Sequence, residues 1–263
     1  MGTIIDIHTH VFPDEVASRA VSLLGQTSGI QPSLDGTTTA LRKSMRTAGI
    51  NRCALMPIAT KLQQVARINQ WIAGLDREYF IPFGTIYPPA GDFDGQINQI
   101  LELNLPGIKL HPDYQDFYPD DESVFPLYDI LQKNGLIVLM HCGRDPSFEG
   151  IHTPPHSIRR IIDTFPDLIL IAAHFGGYQV WDDVERYLIG TPVFLETSYT
   201  LPFLAADRFV AMARAHGIER VLFGTDSPWT DQREEIDKIK ACGLSKDERE
   251  RIFHLNAETH FNF

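Results

Sequence analysis

The chain is 263 residues long, 43% hydrophobic and 22% charged, a balance that supports a folded protein with a large buried core. Its 34 acidic residues outweigh 23 basic ones, giving a formal net charge of −11. That balance excludes a basic nucleic-acid surface and gives no support to binding at an anionic membrane. Cys53, Cys142 and Cys242 are odd in number and far apart, so no disulfide framework is expected. Neither a leader-like segment nor a bilayer-length apolar run is visible, and a cytoplasmic location is the expectation.

Eight short apolar or β-branched runs recur along the chain: 3–10, 52–59, 79–88, 106–112, 136–143, 168–177, 193–199 and 221–228. Several are almost continuously hydrophobic, as strands buried on both faces of a parallel sheet must be. Between them, 61–78, 94–103, 123–135, 157–165, 180–189 and 205–217 carry apolar residues at helical spacing; Val65, Ile68, Ile72 and Leu75 form one such stripe. Gly135 and Gly217 sit where helices should stop. A last helix begins at Ser245, with Glu248 three residues on as a capping box. Eight strands alternating with helices predict a single-domain α/β protein over 1–263. The expected fold is a (β/α)8 TIM barrel, with a doubly wound sheet as the lesser alternative. The segment from Val11 to Asn51 is longer than a connection needs, and a lid or extra helix is expected there.

The first run, T-I-I-D-I-H-T-H, ends in two histidines. Alternation puts His8 and His10 on one face with Ile4 and Asp6, and turns Ile5 and Ile7 the other way. In a barrel the reactive side chains gather at the carboxyl ends of the strands. Lys109 and His111 end the fourth run, His141 the fifth and His174 the sixth; Glu196 lies on the seventh, and Asp226 ends the eighth. Imidazoles with a carboxylate suit Zn²⁺, Fe²⁺ or Mn²⁺ with a position left for water, whose pKa the metal lowers toward about 7. Asp226 would bind the metal, take the water's proton, or do both. His174, where not a ligand, would act as general acid or base.

D-I-H-T-H, L-M-H-C-G, A-A-H-F-G-G and F-G-T-D-S-P, in order on successive strands, resemble the amidohydrolase superfamily. The nearest likeness is to the branch that includes aminocarboxymuconate-semialdehyde decarboxylase, and it extends over the whole chain. The resemblance implies that His8, His10, His141 and Asp226 bind one divalent metal, usually zinc, and that His174 is the catalytic histidine. Binuclear members carry a carboxylated lysine or a glutamate at the end of the fourth strand, where Lys109 stands here. As a carbamate Lys109 would bridge a second metal; as a cation it would pair with Asp226 or Glu196 or hold a substrate carboxylate. The otherwise mononuclear pattern favours the cation.

Arg144, just after H-C-G, is placed either to bind a carboxylate bidentately or to pair with Asp145 or Glu149. His111 is expected to contact substrate or a loop. Asp6 is expected to face the barrel interior beneath the histidines. His152 and His156 are expected to be exposed, and His216, His254 and His260 to lie at the surface. Trp229 is read as a packing residue that could also wall the site. Cys142 should point to the helix layer and be no nucleophile. The expected activity is metal-dependent hydrolysis of an amide, ester or lactone of a small molecule. The alternative is non-oxidative decarboxylation of a small unsaturated or aromatic acid. A non-catalytic metal-binding barrel and a phosphoesterase rank below both. The expected partner is a small molecule, a carboxylate being well suited, with no nucleic acid or membrane; self-association into a homo-oligomer is compatible with this branch.

Overall fold

The computed structural model describes residues 2–261 and 263. The first half of the chain contains β1 (Ile5–Thr9), α1 (Asp14–Ser28), α2 (Thr38–Ala48), β2 (Arg52–Leu55), α3 (Leu62–Ala73), β3 (Phe80–Pro82), β4 (Gly84–Thr85), α4 (Phe93–Glu102), β5 (Gly107–Leu110), α5 (Pro112–Gln115) and α6 (Phe125–Lys133). There follow β6 (Ile137–Met140), α7 (Pro155–Thr164), β7 (Leu170–Ala172), α8 (Trp181–Tyr187), β8 (Phe194–Glu196), α9 (Ala206–His216) and β9 (Val221–Leu222). The chain ends through α10 (Gln232–Ala241), α11 (Lys246–Glu250), a π-helical turn (Arg251–Leu255) and α12 (Asn256–Phe261).

All strand pairs are parallel, in the order β1-β2-β3 and β4 through β9. The third barrel strand is divided at Phe83: Phe80–Pro82 pairs with β2, and Gly84–Thr85 pairs with β5. The barrel closes where Ile7 N donates to Phe223 O at 2.9 Å and Asp226 N to His8 O at 2.8 Å. Nine short segments thus build eight barrel strands, as the sequence predicts.

The buried apolar residues divide by the strand period. Ile5, Ile7, Ala54, Ile81, Leu139, Ile171 and Leu222 fill the barrel interior, and Phe261 and Phe263 pack against that cluster from the carboxyl terminus. Cys53, Leu55, Ile108, Val138, Met140, Cys142 and Val221 belong to the larger layer between strands and helices. Cys142 therefore points outward, as expected, and burial pushes its thiol far up.

Asp6 does not lie where alternation was expected to put it. Ile5 and Ile7 are the inward residues, so Asp6 points out to the helix layer, where Thr225 Oγ1 donates to it at 2.6 Å and Gln232 Nε2 at 2.8 Å. Pairing of β1 with β2 shifts register between Asp6 and Thr9, and this bulge brings His8 back to the barrel mouth. The helix α10 also has no counterpart in the sequence reading. Among its ten residues only Ile236 and Ile239 are buried apolar side chains, a stripe too thin to stand out. The final helix runs on past Leu255 to Phe261. The predicted capping box of Ser245 and Glu248 is present, both bonds made. The long segment after β1 holds α1 and α2. No helix among the described residues is long and apolar enough to cross a membrane.

Candidate active site

The carboxyl ends of the strands bring His8, His10, Lys109, His111, His141, His174 and Asp226 to one cavity of about 1030 Å³. Its outer walls are largely apolar and aromatic, with Phe12, Ile58, Tyr114, Tyr178, Tyr199 and Trp229 among them. Trp229 thus lines the cavity.

Local backbone geometry aims the polar groups. His174 and Asp226 both adopt positive φ, 56° and 66°, outside the usual range of non-glycine residues. Each turn is held by a specific bond: His174 N donates to Glu196 Oε1 at 2.9 Å, and Asp226 N to His8 O. Gly224 is required beside them, because a Cβ there would collide with Glu196 Oε2.

His8, His10 and Asp226 lie together. His8 Nε2 is 3.1 Å from His10 Nε2, and Asp226 Oδ1 is 3.1 Å from His10 Nε2 and 3.5 Å from His8 Nε2. The outer nitrogens are committed: His8 Nδ1 donates to Glu196 Oε1 at 2.9 Å, and His10 Nδ1 to the Met56 carbonyl at 2.7 Å. Both Nε2 atoms therefore face Asp226 as acceptors, and the triangle needs a positive charge. A divalent ion satisfies all three atoms, and donor separations near 3.1 Å suit roughly 2.0 Å metal–nitrogen bonds. The donor set fits a metal.

Lys109 Nζ donates to His8 Nε2 at 3.0 Å. Burial lowers its pKa to about 8, against the pull of Asp226 and Glu196. It makes no ion pair within 4 Å among the described residues. Burial also holds His8, His111 and His141 neutral, the form that ligates.

His141 stands apart from the triangle. Its Nδ1 is 3.0 Å from His174 Nε2, and its ring stacks on His111 with centroids 4.0 Å apart. His174 Nδ1 lies 3.2 Å from the Ser198 carbonyl, which only accepts. The Ser198 hydroxyl, 3.1 Å away, gives its own proton to Glu196 at 2.7 Å. The network thus assigns the His174 proton to Nδ1 and leaves Nε2 as a base facing the site.

Arg144 is exposed at the cavity rim and pairs with neither Asp145 nor Glu149 among the described residues. Three surface expectations fail. His152 is half-buried, with Nδ1 2.8 Å from Asp113 Oδ1, His254 is half-buried, with Nδ1 3.0 Å from Glu258 Oε2, and His216 is buried against the Val193 carbonyl at 2.9 Å. Asp113, Asp145 and Ser198 were not singled out in the sequence. Their signal was slight: each stands one or two residues beyond a marked strand-end residue or its loop arginine.

The sequence profile of the amidohydrolase family matches residues 5–263. The chain belongs to the amidohydrolase family. No curated protein matches it. Solved structures of the same fold include an uncharacterized TIM-barrel protein from Bordetella bronchiseptica, 21% identical over 99% of this chain and 98% of that one, with a TM-score of 0.76. A 5-carboxyvanillate decarboxylase from Sphingomonas paucimobilis is 16% identical over 99% of each chain, TM-score 0.73. A dihydroxybenzoic acid decarboxylase from Polaromonas sp. JS666, with bound manganese and 2-nitroresorcinol, is 15% identical over 100% and 97%, TM-score 0.76. Zinc, the metal expected from the sequence, gains no support from these; the metal named among them is manganese.

Proposed function

We propose that the protein is a metal-dependent, non-oxidative decarboxylase of a small aromatic or unsaturated acid. The observation that carries this reading is an apolar, aromatic-walled cavity opening onto the His8–His10–Asp226 triangle. A carboxylate drawn into such walls loses hydration, and the cost is relieved as it departs as carbon dioxide. The naming of two fold neighbours as decarboxylases of aromatic acids supports the same choice over hydrolysis.

In this reading His8, His10 and Asp226 hold the metal. His141 completes the set that the resemblance implies. A divalent ion bound there would supply Lewis acidity toward a substrate oxygen. Glu196 fixes the His8 ring and Lys109 contributes positive charge beside it. As the carbon–carboxyl bond breaks, its electron pair stays on the substrate carbon, which must take a proton. His174 Nε2, unprotonated at rest, and Asp226 are the groups proposed to take a proton from water and pass it to that carbon. Arg144 at the rim draws in the acid, and His111 contacts it from the wall.

Hydrolysis is the second reading, favoured by the unprotonated His174 Nε2 beside the triangle, which suits activation of water. The test is to incubate manganese- and zinc-loaded protein with hydroxybenzoic and methoxybenzoic acids bearing an ortho hydroxyl, and separately with lactones and esters. Metal-dependent release of carbon dioxide that His174→Asn abolishes supports the decarboxylase. Turnover of lactones or esters alone overturns it.

A further inference from the structure

The cavity over the triangle is larger than one small ring requires. Its volume of about 1030 Å³ stands at the top of the roughly 300–1,000 Å³ range of pockets that hold drug-sized ligands. A benzoic acid with one or two small substituents occupies only a fraction of it. Beyond the strand ends the cavity runs on between α1 and α3. Gln64, Ile68 and Trp71 line it from one side of α3, at steps of four and three, and Leu75 follows just past the helix end. Val16, Leu24 and Ser28 share one stripe of α1 and line it from the other side.

Each helix is held in place by a different face. α1 buries only Ala17, Val21 and Gly25 of its fifteen residues, and Gly36 fits so closely against Val21 that a Cβ there would collide with it. α3 turns Val65, Asn69 and Ile72 to the barrel, where Asn69 Nδ2 donates to the Thr85 carbonyl at 2.9 Å. Leu24 and Ile68 are half-buried, yet neither packs into the apolar core. The charged residues of this stretch, Asp14, Glu15 and Arg67, are exposed to solvent. The half-buried part of the groove is therefore mainly aliphatic and aromatic, a surface that gains by being covered with an apolar group.

We propose that the groove between α1 and α3 is a subsite for an apolar arm of the substrate, an alkyl chain or a second ring, held while the acid group sits at the triangle. The inference rests on the decarboxylase reading for the head of the molecule, and it narrows the substrate to acids that carry such an arm. Groove and triangle belong to one cavity, so the arm stays joined to the reacting group. A protein partner would need a face of about 800 Å², whereas this space is the size of a ligand.

The experiment is a chain-length series on the full-length, manganese-loaded protein. Its probes are ortho-nitrophenol, whose nitro group stands in for the carboxylate and cannot leave as carbon dioxide, and the para-ethyl, para-butyl and para-hexyl homologues. Calorimetry gives a dissociation constant for each. Binding is expected to tighten about two- to fourfold per added methylene, and Leu24→Asp and Ile68→Asp to flatten that slope. The slope is a ratio within one protein, so a general loss of affinity in a variant cancels. Equal affinities across the series overturn the subsite and leave the groove to a second copy of this chain. A slope that both variants keep overturns it as well, and so does a failure of every probe to bind. The decarboxylase reading is judged apart from all of these, by carbon dioxide release from acids without an arm. Should the variants fail to fold, a crystal structure of the hexyl complex decides: a chain lying between Leu24 and Trp71 supports the subsite, and a chain elsewhere overturns it.

Discussion

Glu196 Oε1 accepts a hydrogen bond from His8 Nδ1 at 2.9 Å, between residues 188 positions apart in the chain. Both are almost completely buried. The same carboxylate accepts from His174 N, Ser198 N and Ser198 Oγ. Four donors hold this buried carboxylate in place. One side chain thereby orients the first imidazole of the triangle and, through Ser198, sets the proton of His174.

Glu196→Gln is expected to weaken metal binding about 10- to 100-fold, because one oxygen becomes an amide that donates where an acceptor is needed. Competition against a chelator measures this directly. Unchanged affinity would mean that the rest of the barrel, not Glu196, orients His8.

His174→Asn is expected to lower turnover by about 10²- to 10⁴-fold while metal content stays at the level of the unaltered protein. The side chain keeps a polar group near Ser198 but loses the base at Nε2. Parallel assays of turnover and metal content separate the two effects. Loss of metal along with activity would make His174 a ligand and move the proton to Asp226.

Asp6 ties β1 to the last part of the barrel: it accepts from His8 N, Thr225 N, Thr225 Oγ1 and Gln232 Nε2. Asp6→Asn sets an amide against at least one of these buried donors. The expected cost is about 2–3 kcal/mol of stability, read as a lower urea midpoint with unchanged slope. A shift under half that size would show that the donors find other acceptors.

The strands were legible because each is a short run whose composition alone signals burial. A parallel barrel then brings every carboxyl end to one mouth, so His8, His10, His174 and Asp226 could be gathered from widely separated motifs. Contacts that depend on a partner far along the chain were not legible. The bulge in β1 reverses the side of Asp6 relative to simple alternation, and no residue type marks it. His152 reads as a loop histidine until Asp113 is set beside it, and Asp113 reads as an ordinary first-turn acid of α5. The charged surface of α10 hid its two buried isoleucines. Arg144 was found as a rim residue because H-C-G fixes the end of β6 so closely.

His216 gives a pH dependence free of the metal site. It ends α9, buried, with Nε2 2.9 Å from the Val193 carbonyl and Nδ1 3.3 Å from Gly190 N. The first nitrogen must donate and the second must accept, so the fold requires the neutral ring. Burial lowers its pKa below the ordinary 6.5, against the pull of the Val193 carbonyl. As pH falls through 6.5, the unfolded chain takes up a proton that the folded chain refuses. Its contribution to stability is therefore complete above 6.5 and declines below it, at no more than about 1.4 kcal/mol per pH unit for one proton. His216→Gln keeps an acceptor and a donor but does not titrate. Urea midpoints of the two proteins between pH 7.5 and about 5 should diverge at neutral pH and draw together as the solution is acidified. Parallel curves across that range would show that His216 takes up its proton within the folded state.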